Sequence, residues 1–400
     1  MRVQNGRLVA LVAAVAVAAI TGGGALASRQ GPANANGPAT PLSTSPSTAP
    51  STPAATTTAA KPTPAKMPPS TMPSSRTPSS TTRSSTPTGL VKTKIDLKKL
   101  AQGRAPQVTY LAGRTIRGGA GEDIKVPGNA QIQAVARVGR FSLAVVTKGF
   151  GTEMLSLDNS TGEISRRTPD ITDIVTTGDG TAAAYIGTKL KSTGEEVAGV
   201  TVYADQGGAA DVQKITVPGL WNNRLYGYLD GKVYFGGSTT QTGRTALYEW
   251  TPGESTASIL KAVPQPLSMS SASTAGSLTT LNDQSSCSTL LAVPTGKRLW
   301  LTCDYMITGF TPDAATVIAG PKYQDGYGDG IAAVLDAKNG ATLHEWSGVF
   351  RQAVPEDDQH LLLLADDGEQ TPASIVRCTI SSGACELATP LAKGELLIGA

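Results

Sequence analysis

A glycine returns at nearly constant spacing from residue 113 onward, and this period limits the fold more than any other feature. Gly113, Gly162, Gly207, Gly253, Gly296, Gly340 and Gly383 stand 49, 45, 46, 43, 44 and 43 residues apart. The clearest copies are "MLSLDNSTGEISRR" from Met154, "AAVLDAKNGATLHEW" from Ala332 and "IVRCTISSGACEL" from Ile375. In each, an alternating run meets four loop residues ending in glycine, then a second alternating run. That is a β-hairpin whose loop ends on a left-handed residue, a conformation glycine adopts without steric cost.

A second element recurs between the hairpins. "IVTTGDGTAAAYIG" from Ile174, "LYGYLDGKVYFGG" from Leu225, "ITGFTPDAATVIAG" from Ile307 and "AVPEDDQHLLLLA" from Ala353 each read as strand, Asp-bearing turn, strand. Weaker copies occupy Arg137–Thr147 and Ser273–Leu281. Four strands per period in the low forties is the pattern of a β-propeller blade. The expected fold is therefore all-β, a propeller over residues 104–400 with seven four-stranded blades; six or eight stay open. A ring closes by pairing strands from its two ends, so Leu396–Gly399 is expected to share a blade with the hairpin at Gly113.

"GFTPDAATVIAG" resembles the inner strand of TolB-like and WD-repeat-like propellers. "LDAKNGATLHEW", "EDDQHLLLL" and "VRCTISSGACELATPLAKG" look like a group of exported actinobacterial propeller proteins of unassigned function. The resemblance spans roughly residues 104–400 and implies a fold rather than an activity. The Gly-His and Trp-Asp pairs of true WD repeats are missing, so their hydrogen-bond network does not carry over.

The N-terminal quarter is a different kind of sequence. The first acid is Asp96, and nine bases precede it. Residues 96–400 then hold 25 bases and 31 acids, a formal charge of −6. That balance excludes a nucleic-acid binder with a broad basic face. Arg2 and Arg7, the apolar run Leu8–Ile20 and the small-residue site Ala25-Leu26-Ala27 lay out a signal peptide over residues 1–27. The alternative is an uncleaved single-pass anchor over residues 8–26, the only route to a membrane. Residues 28–103 are expected as a Ser/Thr/Pro/Ala-rich disordered linker, too poor in apolar residues to offset the entropy of ordering. The propeller is thus expected outside the cell, secreted or held at its surface.

The four cysteines fit two local hairpins. A loop Ile380–Gly383 puts Cys378 opposite Cys385, and a loop Pro294–Gly296 puts Cys287 in register with Cys303. Opposed antiparallel residues lie within disulfide reach, and disulfides persist in exported chains.

Recognisable catalytic motifs are missing. His344 and His360 lie in different elements without metal-ligand spacing, and no G-x-S-x-G elbow or phosphate loop occurs. Asp325 and Asp329, in "YQDGYGDGI", offer oxygens to a calcium ion without a known calcium-loop spacing. No cofactor is expected. Trp221, Trp250, Trp300 and Trp346 read as blade packing. The remaining candidates are acids in what reads as the turn between the third and fourth strands of each unit: Asp179, Asp230, Asp313, Glu356, Asp357 and Asp358. Equivalent turns of successive blades ring one face, which is expected to be acidic, distinct from the hairpin face, and to meet a basic protein segment or a divalent cation. The simpler reading is that each Asp caps its own turn. The function expected is a non-catalytic binding or scaffold module, a monomer whose partner is an unknown protein or surface polymer. The alternative is a carboxylate-dependent hydrolase or lyase acting on wall polysaccharide.

Overall fold

A computed structural model describes residues 91–207, 212–282, 285–323, 329–367 and 372–400. The signal peptide, residues 28–90 of the linker, and Asp325 lie outside the described residues.

Strand β1 (Val91–Lys94) precedes the first blade. Blade 1 contains β2 (Tyr110–Ala112), β3 (Thr115–Arg117) and β4 (Ile124–Lys125). Blade 2 is β5 (Ile132–Val138), β6 (Phe141–Lys148), β7 (Gly151–Asp158) and β8 (Ile164–Pro169). Blade 3 is β9 (Ile171–Thr176), β10 (Ala183–Gly187), β11 (Gly199–Asp205) and β12 (Gln213–Pro218). Blade 4 is β13 (Trp221–Leu229), β14 (Lys232–Ser238), β15 (Ala246–Trp250) and β16 (Ser258–Pro264). Blade 5 is β17 (Pro266–Met269), β18 (Thr274–Asn282), β19 (Ser285–Ala292) and β20 (Lys297–Thr302). Blade 6 is β21 (Tyr305–Phe310), β22 (Thr316–Pro321), β23 (Asp329–Asp336) and the first half of β24 (Thr342–Pro355). The second half of β24 opens blade 7, followed by β25 (His360–Asp366), β26 (Ala373–Thr379) and β27 (Cys385–Leu387). The last strand, β28 (Leu396–Ile398), returns to blade 1 and pairs with β2, Tyr110 opposite Ile398.

The result is a propeller of seven four-stranded antiparallel blades. The first strands of successive blades adjoin one another around an axis: β28 meets β5, β5 meets β9, β9 meets β13, β13 meets β17, β17 meets β21, and β24 meets β28. Buried apolar side chains form one cluster at each of the seven interfaces between neighbouring blades. Side chains alternate between the two faces of a strand, and each face here meets another blade. Leu361 and Leu363 therefore pack towards blade 6, and Leu362 and Leu364 towards blade 1. This is why the middle strands read as unbroken apolar runs.

Six of the period glycines, Gly162 to Gly383, join the third and fourth strands of their blades, all at positive φ. Gly113 does not: it joins β2 to β3, the second and third strands, because the C-terminus supplies the first strand of blade 1. The equivalent glycines are Gly118 and Gly119, at φ 66° and 62°. They restore the period that the interval of 49 breaks.

Two further expectations change. Residues 91–103 belong to the propeller rather than to the linker: β1 runs parallel to β24, Val91 opposite His344, and Ile95 and Leu97 are buried. This strap then bridges β27 at Leu387 before entering blade 1. The Asp turns also lie between the first and second strands of their blades. In an antiparallel blade that turn and the third-to-fourth hairpin are at the same end. Gly139 N donates to Gly180 O, and Arg140 N to Gly207 O, across that shared face. The acidic turns and the hairpins thus occupy one turn face, not two. The other connections form the opposite, loop face.

Candidate functional site

Asp179 and Asp313 sit in matching turns. Asp179 Oδ1 accepts from the Thr177 hydroxyl at 2.6 Å and from the Thr181 N–H and hydroxyl at 3.1 and 2.8 Å. Asp313 Oδ1 accepts from Thr311 at 2.7 Å and from the Ala315 N–H at 2.9 Å. The Thr177 hydroxyl first, then Thr181, holds the Asp179 carboxyl down at about 2. Asp230, at φ 50°, and Gly231, at φ 74°, form the two-residue turn between Leu229 and Lys232, as Asp-Gly does in a type I′ hairpin. All three Asp side chains remain on the exposed surface.

The acid run of blade 7 divides three ways. Asp358 reaches blade 6, where its Oδ1 accepts from the Asp313 N–H at 2.8 Å. Asp357 accepts from the Gln359 and His360 N–H groups at 2.8 Å and contacts His360 Nδ1 at 2.9 Å. Burial works against its ionisation, but His360 and these N–H groups hold its pKa below the ordinary value. Glu356 is inaccessible, its side chain 0% exposed against Arg377 at 4%. Arg377 donates from Nε and Nη2 to Glu356, from Nη1 to Glu386 at 2.8 Å and the Arg104 carbonyl at 2.9 Å, and from Nη2 to the Ala105 carbonyl at 2.9 Å. Glu356 Oε1 also accepts from the Gln107 N–H at 2.7 Å. One atom each of Glu356, Asp357 and His360 lie within 4.8 Å of one another, yet Arg377 already supplies the positive charge there.

The structure thus brings Asp313 together with Asp358 and leaves Asp179 and Asp230 in blades 3 and 4. Asp329 opens β23. His344 is buried beside Trp346 and bonds Thr93 of the strap at 2.9 Å. The disulfides Cys287–Cys303 and Cys378–Cys385 are both present, each with Cα atoms 4.1 Å apart. The first reaches register by another route: Ala292 pairs with Lys297, and a bulge at Leu299 restores the offset.

Sequence reading missed Arg377 and the channel. The signal for Arg377 was an arginine inside the apolar run "ASIVRCTI", a position that requires a buried partner. On the channel side, Asp173 of β9 takes the Leu225 N–H at 2.9 Å and its neighbour Ile174 N–H at 3.0 Å. Enclosure by protein raises its pKa, against the opposing pull of the Leu225 N–H and Arg224.

This geometry defines the class: an all-β, seven-bladed propeller closed by its own C-terminal strand. No family model and no curated protein matches the chain. Among solved structures it is similar to oligopeptidase B from Leishmania major (9% identity, TM-score 0.47, covering 74% of this chain and 50% of that one). It is also similar to the β-propeller domain of the Trilobed protease from Pyrococcus furiosus (10%, TM-score 0.43, 66% and 99%). A third is TolB from Acinetobacter baumannii (13%, TM-score 0.38, 60% and 65%). The chain therefore spans half of the oligopeptidase and about two thirds of TolB, and the fold assignment rests on strand order and register alone.

Proposed function

We propose that the protein is a non-catalytic binding module presented outside the cell, whose turn face meets a basic protein segment. The observation that carries this reading is how the turn carboxylates are used. Acid–base catalysis needs two titratable groups facing one pocket with separated pKa values. Here Glu356 is bound by a buried arginine, and Asp179, Asp313 and Asp357 fix their own turns. What Asp179, Asp230, Asp313 and Asp358 keep is an outward-facing negative surface on a rigid ring. Such exposed charges steer association and weaken with salt, whose screening length is about 8 Å at about 0.15 M. Two disulfides support an oxidising compartment, reached by export through residues 1–27.

The test uses residues 91–400 with Asp230→Asn and Asp358→Asn, incubated with surface extract of the source cell at low and high salt. Wild type should retain a partner that the double variant loses and that salt releases. Unchanged capture would sink the turn-face reading. Soluble sugar fragments released by wild type would favour a hydrolase.

A further inference from the structure

We propose that the central channel is a binding site for an oxyanion-bearing ligand, a phosphate or carboxylate group reaching in along the axis. It rests on reading the protein as a binding module but uses a different site from the turn face.

The innermost strands carry the argument. Six of them, all but the three-residue β28, contain a β-bulge: the ladder skips Gln133, Thr172, Tyr226, Leu267, Thr308 and Arg351. A bulge leaves one residue unpaired and re-aims its side chain. The described innermost strands expose five residues, Gln133, Thr172, Arg224, Thr308 and Arg351, and four of these are bulge residues. Both faces of such a strand are covered by neighbouring blades, so exposure there is towards the axis. All five side chains can donate hydrogen bonds; none is an acid, in a unit where acids outnumber bases 31 to 25.

Several of these donors are unspent. Among the described residues, the Gln133 and Arg224 side chains make no hydrogen bond or ion pair, and Arg224 acts on Asp173 only through space. Arg351 Nε is ion-paired with Asp366 Oδ2 at 2.9 Å, and the Thr308 hydroxyl donates to the Ile318 carbonyl at 3.3 Å. Thr308 and Arg351 also line a cavity of about 180 Å³ between blades 6 and 7, walled by Phe350, Ala319 and Ile331. That volume suits a phosphate or carboxylate on a short carbon stem, with a guanidinium and a hydroxyl in the lining. Arg is suited to both groups because its planar fork pairs with two oxygens at once. Asp173, next to Thr172 on β9, has both oxygens occupied by backbone N–H groups, and burial raises its pKa although Arg224 pulls the other way.

The test titrates residues 91–400 with two probes by calorimetry at low salt: inorganic polyphosphate and polygalacturonate. At least one should bind. Arg224→Gln should weaken it about tenfold, as loss of one charge-assisted pair does, Arg224→Glu should abolish it, and Arg224→Lys should retain most of it. Melting temperatures of Arg224→Gln and Arg224→Lys should stay close to wild type, since the Arg224 side chain makes no hydrogen bond or ion pair among the described residues and acts on Asp173 only through space. Thr308→Val gives an independent check from blade 6 and should also weaken binding. Binding of polyphosphate alone assigns a phosphate ligand; binding of polygalacturonate alone assigns a carboxylate. Absence of binding by both probes, or equal binding by wild type and Arg224→Glu, overturns the proposal. Turn-face capture that survives this result leaves the binding-module reading standing.

Discussion

Arg377 has five N–H donors and meets five acceptors, two on Glu356, one on Glu386 and the carbonyls of Arg104 and Ala105. That match decides what Glu356 can do. It is the most buried acid of its run and is committed to holding the strap against blade 7. Removing one member of a buried pair strands the other charge and costs about 3–5 kcal/mol, so Arg377→Met should lose about that much in denaturant unfolding. Glu356→Gln should show itself in pH. Burial alone would raise the Glu356 pKa, but Arg377, the Gln107 N–H and Arg104 outweigh it and hold the carboxyl below its ordinary value. A depressed folded value contributes stability above the unfolded pKa of about 4.3, and this is lost as pH falls through the folded value. Thermal melts of wild type should therefore fall off below about pH 4.3, and those of Glu356→Gln should fall off less. Parallel acid profiles would show that Glu356 carries no such linkage.

The hairpins were the most legible elements, because a left-handed loop position restricts the residue to glycine or a few others and so prints a period. Cys378 opposite Cys385 followed from that turn alone and is the register observed. The bulges were not legible. A bulge adds one residue without breaking an apolar run, and blade strands buried on both faces lack the strict alternation that would expose a slip. This is why the Cys287–Cys303 hairpin reached its register by an unforeseen bulge at Leu299, and why the channel ring stayed hidden. Blade 1 was misread at Gly113 for another reason: its first strand comes from the far end of the chain, which local pattern does not report. The disulfides close loops of 7 and 16 residues in sequence separation. The loop-entropy relation assigns each about 2.5–3 kcal/mol. Replacing either pair by alanines should cost about that in urea unfolding without changing the far-ultraviolet circular dichroism. A variant pair as stable as wild type would contradict the entropic account.

At the scale of the whole molecule, closure depends on the two ends of the described chain. β28 contributes only three ladder positions to blade 1. Gln352 on the first strand of blade 7 extends them, its Nε2 donating to Ile398 O at 3.0 Å and its Oε1 accepting from Ile398 N at 2.8 Å. Gly399 N bonds Thr109 O, and Ala400 N bonds Val135 O. From the other direction, the strap crosses blades 6 and 7 and is fixed at Glu356 and Arg377 before it becomes blade 1. A ring closed in this way has no blade free to peel away first. Native-state hydrogen exchange of residues 91–400 tests this closure most directly. The account predicts that amides of Leu396–Ile398 exchange together with those of Tyr110–Ala112, and only at the rate of global unfolding. Fast, independent exchange of the C-terminal strand while blades 2 to 6 stay protected would contradict it.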